Sequence, residues 1–362
     1  MPIVSKPARH VAEGARAGAV ALAAVAVVLT TAALAPGAAA AARPRACDVR
    51  GRTYGWPVPP FAEQHLIRGT LNEPRNRSFH FGVDIFAPDG EPVYAVAAGI
   101  ARVPDRTKLA VVAGPCVTYQ FWHVIPSVAD AARVRRGQLI GRILAPYGHV
   151  HLGEYDARRG RYLDPLRRGA GGLRPYRDRI RPVIERITIE RRGRLVAPAG
   201  VRGTIDLVVR AYDPIVPPPP EPWRHFRLAP ATVWSRLVTT TGRPIRRWRL
   251  ALHNRTKIDD RRYAQVYAPG SRVNERGGSV GVYRYWLTRG LDTRRLGPGR
   301  YVAQTRVADA QGNAVRASLS FTIGRASPRK QAGPRGAPLQ ALGDSPGFAE
   351  ALSPLRWLGD SP

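Results

Sequence analysis

The sequence predicts an all-β protein, with a small antiparallel β-sheet domain at residues 80–172 and an immunoglobulin-like β-sandwich at residues 183–324. Three observations support this prediction. Short runs rich in Val, Ile, Tyr and Phe recur along both regions, as is typical of strands. Turns that contain Pro and Gly separate these runs. The chain of 362 residues is also long enough for two domains that each bury a core.

The first β region follows an extended, Pro-rich N-terminal segment at residues 43–79, where Pro disfavours helix. Turns such as Pro88-Asp89-Gly90 and Gly114-Pro115 break its strands. The region has no room for a dinucleotide-binding fold and contains no Gly-rich phosphate loop. The predicted strands are 81–86, 93–103, 109–113, 117–124, 138–144 and 149–155.

The second β region follows a linker rich in Arg and Pro at residues 173–182. About seven strand candidates and turn signals such as Pro298-Gly299 favour an antiparallel sandwich. The run Pro217–Pro220 predicts a stiff loop. Residues 325–362 are rich in Pro, Gly and Ala without periodicity, so we predict a disordered tail there.

The net charge of +31 is unusual for a globular protein, and all but four of the 57 basic residues are arginine. Scattered Arg with so little Lys indicates a compositional bias and not a dedicated binding patch. A cationic surface still adsorbs to polyanions, so we expect association with an anionic cell envelope. The chain has no basic recognition helix, zinc-finger pattern or RNA-binding aromatic motif, and we predict no specific nucleic-acid partner.

The N-terminus has the order of a secretory signal peptide. Basic residues up to Arg16 precede a largely apolar run at 19–35, and alanines at 38–42 offer a small-residue cleavage site. We therefore predict a signal peptide at residues 1–42 and a secreted, extracytoplasmic protein. The alternative is an uncleaved membrane anchor, since the apolar run approaches the length of a spanning helix.

Only two cysteines, Cys47 and Cys116, are present. In an exported chain a pair of cysteines predicts a disulfide, here Cys47–Cys116. The alternative is that one of them is a nucleophile, but Cys116 lies among apolar residues with no activating group nearby in sequence.

Four of the eight histidines lie between residues 80 and 151, and three of them belong to two patterned segments, His80-Phe-Gly-Val-Asp84 and His149-Val-His151. Side chains at i, i+2 and i+4 of a strand share one face, so each pair is aligned on its own strand. Two strands of this kind can build a three-ligand zinc site with a spare histidine for proton transfer. The spacing does not say which of His149 and His151 binds the metal.

Further segments accompany these motifs in a fixed order: Phe121-Trp-His123-Val, Gly137-Gln-Leu-Ile-Gly141 and Tyr162-Leu-Asp-Pro165. Together with the two histidine motifs, they resemble the lysostaphin/LytM-type (M23) zinc metallopeptidases over about residues 77–166. That family cuts peptide bonds in bacterial peptidoglycan. One departure concerns an acidic residue that commonly follows the last histidine by two positions, because here Glu154 follows it by three.

The resemblance implies that His80, Asp84 and His151 bind Zn²⁺ and that His149 and His123 form the catalytic pair. It implies a cell-wall-associated hydrolase, an endopeptidase that acts on peptidoglycan stem or cross-bridge peptides, and we expect it to work as a monomer. The sandwich offers no site residues.

Three alternatives stay open. The first is a catalytically inactive M23-like module that binds the cell wall or activates an amidase, as in relatives that have lost ligands. The second is an adhesin that works through the β-sandwich. The third is a D-Ala-D-Ala-type carboxypeptidase, whose first ligand pair is spaced more widely than His80 and Asp84.

Overall fold

The computed structural model describes residues 51–324, apart from residue 222 and residues 276–277. Its secondary structure is almost wholly β, and nearly all strand pairs are antiparallel, which confirms the all-β prediction. The predicted signal peptide at 1–42, Cys47 and the predicted tail at 325–362 lie outside the described residues. Within the described part, no helix is both long enough and apolar enough to span a membrane.

Fifteen short strands make up the first β region of the described chain. They are β1 Thr53–Tyr54, β2 Ile67–Gly69, β3 Pro74–Arg75, β4 Ser78–Phe79, β5 Val83–Phe86, β6 Pro92–Tyr94, β7 Gly99–Asp105, β8 Lys108–Val112, β9 Val117–Trp122, β10 Val124–Pro126, β11 Arg133–Val134, β12 Leu139–Ile143, β13 His149–Asp156, β14 Arg161–Leu163 and β15 Gly172–Leu173.

The central sheet of this region has the strand order β11-β7-β8-β9-β13-β5-β2, with β14 beside β13. A three-stranded sheet, β10-β12-β6, and the pairs β1–β15 and β3–β4 complete the region. Alternation places Val117, Tyr119 and Phe121 of β9 in the core. The central strand β13 is buried along nearly its whole length, so any polar residue on it needs a partner.

The second β region contains the remaining described strands and three short helical segments. They are β16 Val183–Arg191, β17 Arg194–Val196, β18 Thr204–Pro214, β19 Arg227–Leu228, β20 Thr232–Thr239, β21 Pro244–His253, the 3₁₀ turn Asp260–Arg262, α1 Tyr263–Val266, β22 Arg284–Asp292, the 3₁₀ turn Thr293–Arg295, β23 Gly299–Ala308 and β24 Ala314–Ile323.

These strands form a five-stranded sheet, β17-β16-β18-β19 with β22 against β18, and a four-stranded sheet, β21-β20-β23-β24. The two sheets share one hydrophobic core, to which Val209 and Tyr285 contribute from the first sheet and Val233 and Phe321 from the second. This is the arrangement of a β-sandwich. The immunoglobulin-like topology remains a prediction.

The segment that precedes His80 is embedded in the second β region. Phe79 belongs to the sandwich core and packs against Tyr263 and Tyr267, and its backbone N–H donates to Asp260 Oδ1 at 2.8 Å. The side chain of Asn72 donates to the carbonyl oxygens of His253 and Thr256. The residues that lead into the first histidine motif are therefore held by the sandwich.

Candidate metal centre

Strand β13 carries His149 and His151 and the adjacent strand β5 carries Asp84, whereas His80 lies before β5, in the segment that follows β4. Strand β13 pairs antiparallel with β5, and His151 is the direct cross-strand partner of Asp84. The other edge of β13 pairs with β9, which places Trp122 opposite His151 and His123 just beyond the end of β9. The register brings all the motif residues to one end of the central sheet.

Two glycines make the close approach of these strands possible. A Cβ on Gly82 would lie 2.3 Å from the carbonyl oxygen of Leu152 and 2.9 Å from Cε1 of His151. A Cβ on Gly69 would lie 2.5 Å from Oδ2 of Asp84. At Gly82 the close atom is backbone, so this position needs glycine for the strands to pass beside each other. At Gly69 the close atom belongs to the Asp84 side chain, which a larger residue would displace from its place in the site.

His80, Asp84 and His151 meet through one atom each. Nε2 of His80 lies 3.0 Å from Oδ1 of Asp84, Nδ1 of His151 lies 3.1 Å from the same oxygen, and the two nitrogens are 2.7 Å apart. Donors around a tetrahedral zinc with bonds of about 2.0–2.2 Å lie roughly 3.3 Å from one another. The three atoms are thus close enough to share one ion, and the residues that hold them are buried.

The surroundings give this donor set the protonation state that a metal needs. Burial lowers the pKa of His80 and lowers that of His151 to about 4, so both imidazoles are neutral at pH 7. Burial alone would raise the pKa of Asp84, but His80 and His149 outweigh it and hold that pKa well below its usual value. Two neutral imidazoles and one carboxylate fit a zinc ion with a position left for water.

Hydrogen bonds indicate which ring nitrogen of each histidine faces the centre. Nδ1 of His80 lies 2.9 Å from the carbonyl oxygen of Thr70, which can only accept, so we assign the proton to Nδ1 and the lone pair to Nε2. His151 presents Nδ1 to the centre, and its buried Nε2 has no hydrogen-bond partner within the described part of the chain. The ring of His151 packs on Phe81, with centroids 4.2 Å apart.

An ion-pair network between the partly exposed Arg75 and two buried carboxylates restrains the second oxygen of Asp84. Nη2 of Arg75 donates to Asp84 Oδ2 at 2.9 Å, and Nη1 of Arg75 donates to Glu73 Oε2 at 2.9 Å. Glu73 Oε1 in turn accepts from the hydroxyl of Tyr283, a sandwich residue, at 2.8 Å. The sequence analysis did not predict a role for Arg75 and Glu73. No spacing pattern indicates them, because the last contact of the network is with Tyr283 of the second β region.

His149 and His123 lie beside the donor set. Nε2 of His149 is 3.7 Å from Asp84 Oδ1, and its Nδ1 is 2.8 Å from the carbonyl oxygen of Tyr147. The ring of His123 stacks on Tyr147 at 4.0 Å and lies 4.7 Å from the His149 ring, measured between centroids. Burial lowers the pKa of His149 and lowers that of His123 to about 3.

Arg68 contributes a positive charge at this edge. Its Nη1 donates to the carbonyl oxygen of Tyr147 at 2.9 Å and lies 3.2 Å from Nδ1 of His149. Nδ1 of His149 thus has two neighbours, a guanidinium nitrogen that can only donate and the Tyr147 carbonyl oxygen that can only accept. We assign the ring proton to Nδ1 because the contact with the carbonyl oxygen is the shorter one. Nε2 of His149 then carries the lone pair on the side of the donor set.

A largely apolar cavity of ≈ 540 Å³ opens next to Tyr147 and Gly148. The first β region supplies Phe86 and Ile67 to its wall, and the segment after β18 supplies Trp223 and Phe226. The walls of this cavity therefore come from both β regions, and no motif in the sequence predicts it.

Glu154 does not take part in the metal centre. It lies on the face of β13 opposite His149 and His151, since its position differs from theirs by an odd number of residues. Its carboxylate accepts from both terminal nitrogens of Arg167, at 2.6 and 2.9 Å, and from the hydroxyl of Tyr54 at 2.8 Å. The displaced acidic residue is a buried structural group.

Comparison with known proteins gives similarity to solved structures alone. No protein-family model matches the chain, and no curated protein matches it. The catalytic domain of EnpA, a prophage-encoded M23 protein from Enterococcus faecalis, is 19% identical with a TM-score of 0.24, over 28% of this chain and 88% of that one. A zinc-containing peptidase from Vibrio cholerae is 21% identical with a TM-score of 0.27, over 32% of this chain and 39% of that one.

Pseudoalterin, described as an M23 metalloprotease from the deep sea, is 15% identical with a TM-score of 0.26, over 40% of this chain and 94% of that one. Several solved structures that the chain resembles are thus M23 peptidases. Because these identities are below 25% and these TM-scores below 0.5, the functional inference rests on the geometry of the chain's own donor atoms.

Proposed function

We propose that this chain is an exported zinc metalloendopeptidase that hydrolyses peptide bonds in the stem or cross-bridge peptides of bacterial peptidoglycan. The observation that carries the proposal is the convergence of Nε2 of His80, Oδ1 of Asp84 and Nδ1 of His151 on one point. The imidazole of His149 lies 3.7 Å from Asp84 Oδ1, and that of His123 packs beside the His149 ring.

His80, Asp84 and His151 would hold the zinc ion. A zinc ion in such a site supplies a Lewis acid and lowers the pKa of a water molecule to near neutrality. Arg75 restrains Asp84 through its second oxygen, which keeps Oδ1 turned to the two histidines.

His149 is suited to accept the proton of the attacking water. It is neutral at pH 7 because burial lowers its pKa, and its Nδ1–H bond to Tyr147 leaves Nε2 free to act as a base. His123, which is also neutral, can donate an N–H to the oxygen that becomes negative as the peptide carbonyl is attacked.

The cell wall as target is supported by the chain as a whole. An N-terminal signal peptide would export it, and a net charge of +31 favours adsorption to an anionic envelope. The cavity beside Tyr147 gives a peptide a surface next to the metal centre on which to lie.

The test is digestion of purified peptidoglycan by the zinc-loaded chain, with identification of the new amino termini by mass spectrometry and of bound metal by elemental analysis. We expect one zinc per chain and new amino termini inside stem or cross-bridge peptides. His225→Ala is the matched control, because His225 is exposed and lies outside the donor set.

A zinc-loaded chain that binds peptidoglycan but releases no new amino termini would favour the inactive wall-binding module. Wall binding that disappears when the sandwich surface is altered, in a chain without hydrolytic activity, would favour the adhesin. Release of only the terminal residue of a stem peptide would favour the carboxypeptidase.

A further inference from the structure

Three buried aspartates from distant parts of the sequence lie together, apart from the donor set of His80, Asp84 and His151, which we call the His/Asp centre. Asp178 belongs to the segment between β15 and β16, Asp213 to β18, and Asp309 to the turn after β23. One oxygen of each carboxylate lies within 4.8 Å of the corresponding oxygens of the other two. The side chains are 8%, 5% and 4% exposed, respectively. We call these three residues the aspartate cluster.

No basic side chain balances the charge of the aspartate cluster. Among the residues that the structure describes, none of the three carboxylates forms an ion pair with Arg, Lys or His, although basic residues outnumber acidic ones by 57 to 26 in the sequence. Like charges buried together in this way are unfavourable without a cation.

The ionisation of these groups reflects that imbalance. Burial raises the pKa of Asp178 to about 6, with a further contribution from Asp309. Burial also raises the pKa of Asp213 well above its usual value, and the charges of Asp309 and Asp178 add to this effect. Burial raises the pKa of Asp309 as well, against the hydrogen bonds that it accepts.

Two of the carboxylates are held in place by hydrogen bonds, and the third has an open oxygen. Asp178 Oδ1 accepts from the backbone N–H of Ile180 at 2.8 Å, and Asp309 accepts from the backbone and side-chain amides of Asn313 at 2.9 and 2.6 Å. Asp213 Oδ1 is fully buried and has no hydrogen-bond partner in the described chain. Asp213 also lines, together with Asp164 and Tyr176, a small cavity of ≈ 10 Å³ that can hold about one water molecule.

We propose that Asp178, Asp213 and Asp309 bind a calcium ion. The donor set is made of carboxylate oxygens alone, which suits a hard cation and not zinc. Calcium accepts irregular arrangements of six to eight oxygens, so carbonyl oxygens and water can complete a site that begins with three carboxylates. The unpartnered oxygen of Asp213 would then coordinate the ion, and the positive charge of the ion would balance the buried carboxylates.

The position of the aspartate cluster gives the ion a structural role. The segment that carries Asp178 is attached to the first β region, since Trp56 Nε1 donates to the carbonyl oxygen of Pro175 at 2.9 Å and Gln64 Oε1 accepts from the backbone N–H of Arg177 at 2.6 Å. Asp213 and Asp309 belong to the sandwich. A calcium ion would therefore link the connecting segment, through Asp178, to the sandwich, through Asp213 and Asp309.

The experiment uses the full chain, freed of metal on a chelating resin and then reloaded with one equivalent of zinc. Isothermal titration with Ca²⁺ should show one site per chain, and 1 mM Ca²⁺ should raise the midpoint of thermal unfolding by about 5 °C. Asp213→Asn should weaken calcium binding at least about tenfold, because it removes one ligand charge. Asp292→Asn, on the sandwich surface beside Arg294, is the control and should leave calcium binding unchanged.

The order of stability with and without calcium separates a ligand from a packing residue. Without calcium, Asp213→Asn should be at least as stable as the wild type, since it removes a buried charge, and with calcium it should be the less stable of the two. A wild-type chain with no calcium response would overturn the proposal, and so would an equal response to Mg²⁺. Because the calcium titration of the wild type needs no variant, it tests the proposal even if Asp213→Asn does not fold. The zinc-free variant His151→Ala should keep the full calcium response, so the outcome is independent of the proposed peptidase activity.

Discussion

The His/Asp centre, made of His80, Asp84 and His151, and the aspartate cluster are both buried, and both bring together donors from separate parts of the chain. They differ in how the fold balances their charge. Asp84 has neutral imidazoles on one oxygen and Arg75 on the other, and its pKa is held low. Among the described residues, the charged groups that act on Asp213 are the carboxylates of Asp309 and Asp178, and burial together with these charges raises its pKa. The first centre is thus charge-balanced before a metal binds, whereas the second lacks a cation.

The largest effects should come from the histidines of β13. His151→Ala should lose zinc and reduce peptide hydrolysis by at least about 10³-fold, because it removes a ligand. His149→Ala should keep zinc and reduce hydrolysis by about 10²–10⁴-fold, because it removes only the base. Elemental analysis and the rate of release of new amino termini measure both quantities. Equal zinc loss in the two variants would contradict the division of roles between these neighbours.

The two clusters also differ in how far the sequence could predict them. Within the His/Asp centre, i,i+2 spacing aligned His149 with His151 on β13, as predicted. His80 meets Asp84 from the segment before β5 and not from the same strand, so for this pair the spacing predicted the proximity but not the element. The choice of His151 over His149 as the ligand came from a family resemblance and remains a prediction. The aspartate cluster joins residues 178, 213 and 309, and a single aspartate on a strand or turn carries no signal of a partner 96 residues away.

The same limit applies to the support of the His/Asp centre. The sequence interpretation predicted an all-β fold from strand and turn patterns, and that was correct because these patterns are local. Arg75 and Glu73 could not be predicted, since their role depends on Tyr283, more than two hundred residues further along the chain. Local periodicity predicts elements and faces, and tertiary packing decides which polar groups meet.

A smaller effect should follow from disturbing the charge balance of the His/Asp centre. Arg75→Lys keeps the charge but cannot bridge Asp84 and Glu73 with two terminal nitrogens, so zinc affinity should fall about 10- to 100-fold. Tyr283→Phe removes one hydrogen bond to Glu73 and should have a weaker effect in the same direction. Competition with a zinc chelator measures both affinities. If Arg75→Lys bound zinc as tightly as the wild type, the network would be structural only.

The aspartate cluster should change how the free energy of unfolding depends on pH. The folded pKa of Asp178 is about 6, above the usual value of 3.8, so the folded chain retains a proton that the unfolded chain releases. Without calcium, the stability of the wild type relative to Asp178→Asn should therefore fall as the pH rises from about 4 to 6, and then stay constant. Denaturant unfolding of both proteins across this range measures the difference. With 1 mM Ca²⁺ at pH 7, the wild type should be more stable than Asp178→Asn.

The smallest predicted effect concerns the cavity of ≈ 540 Å³ beside Tyr147, which is far larger than the cavity of ≈ 10 Å³ that Asp213 lines. Trp223 lines this cavity and contacts Phe86, with ring centroids 5.4 Å apart. Trp223→Ala should raise KM for a peptide substrate about three- to tenfold with little change in kcat, because it removes a binding surface and leaves the donor atoms in place. Steady-state kinetics on a peptide substrate measure both constants. A fall in kcat with unchanged KM would mean that Trp223 acts on the reacting centre and not on substrate binding. Trp248 is an exposed tryptophan on β21, so Trp248→Ala is the control for a general loss of aromatic surface.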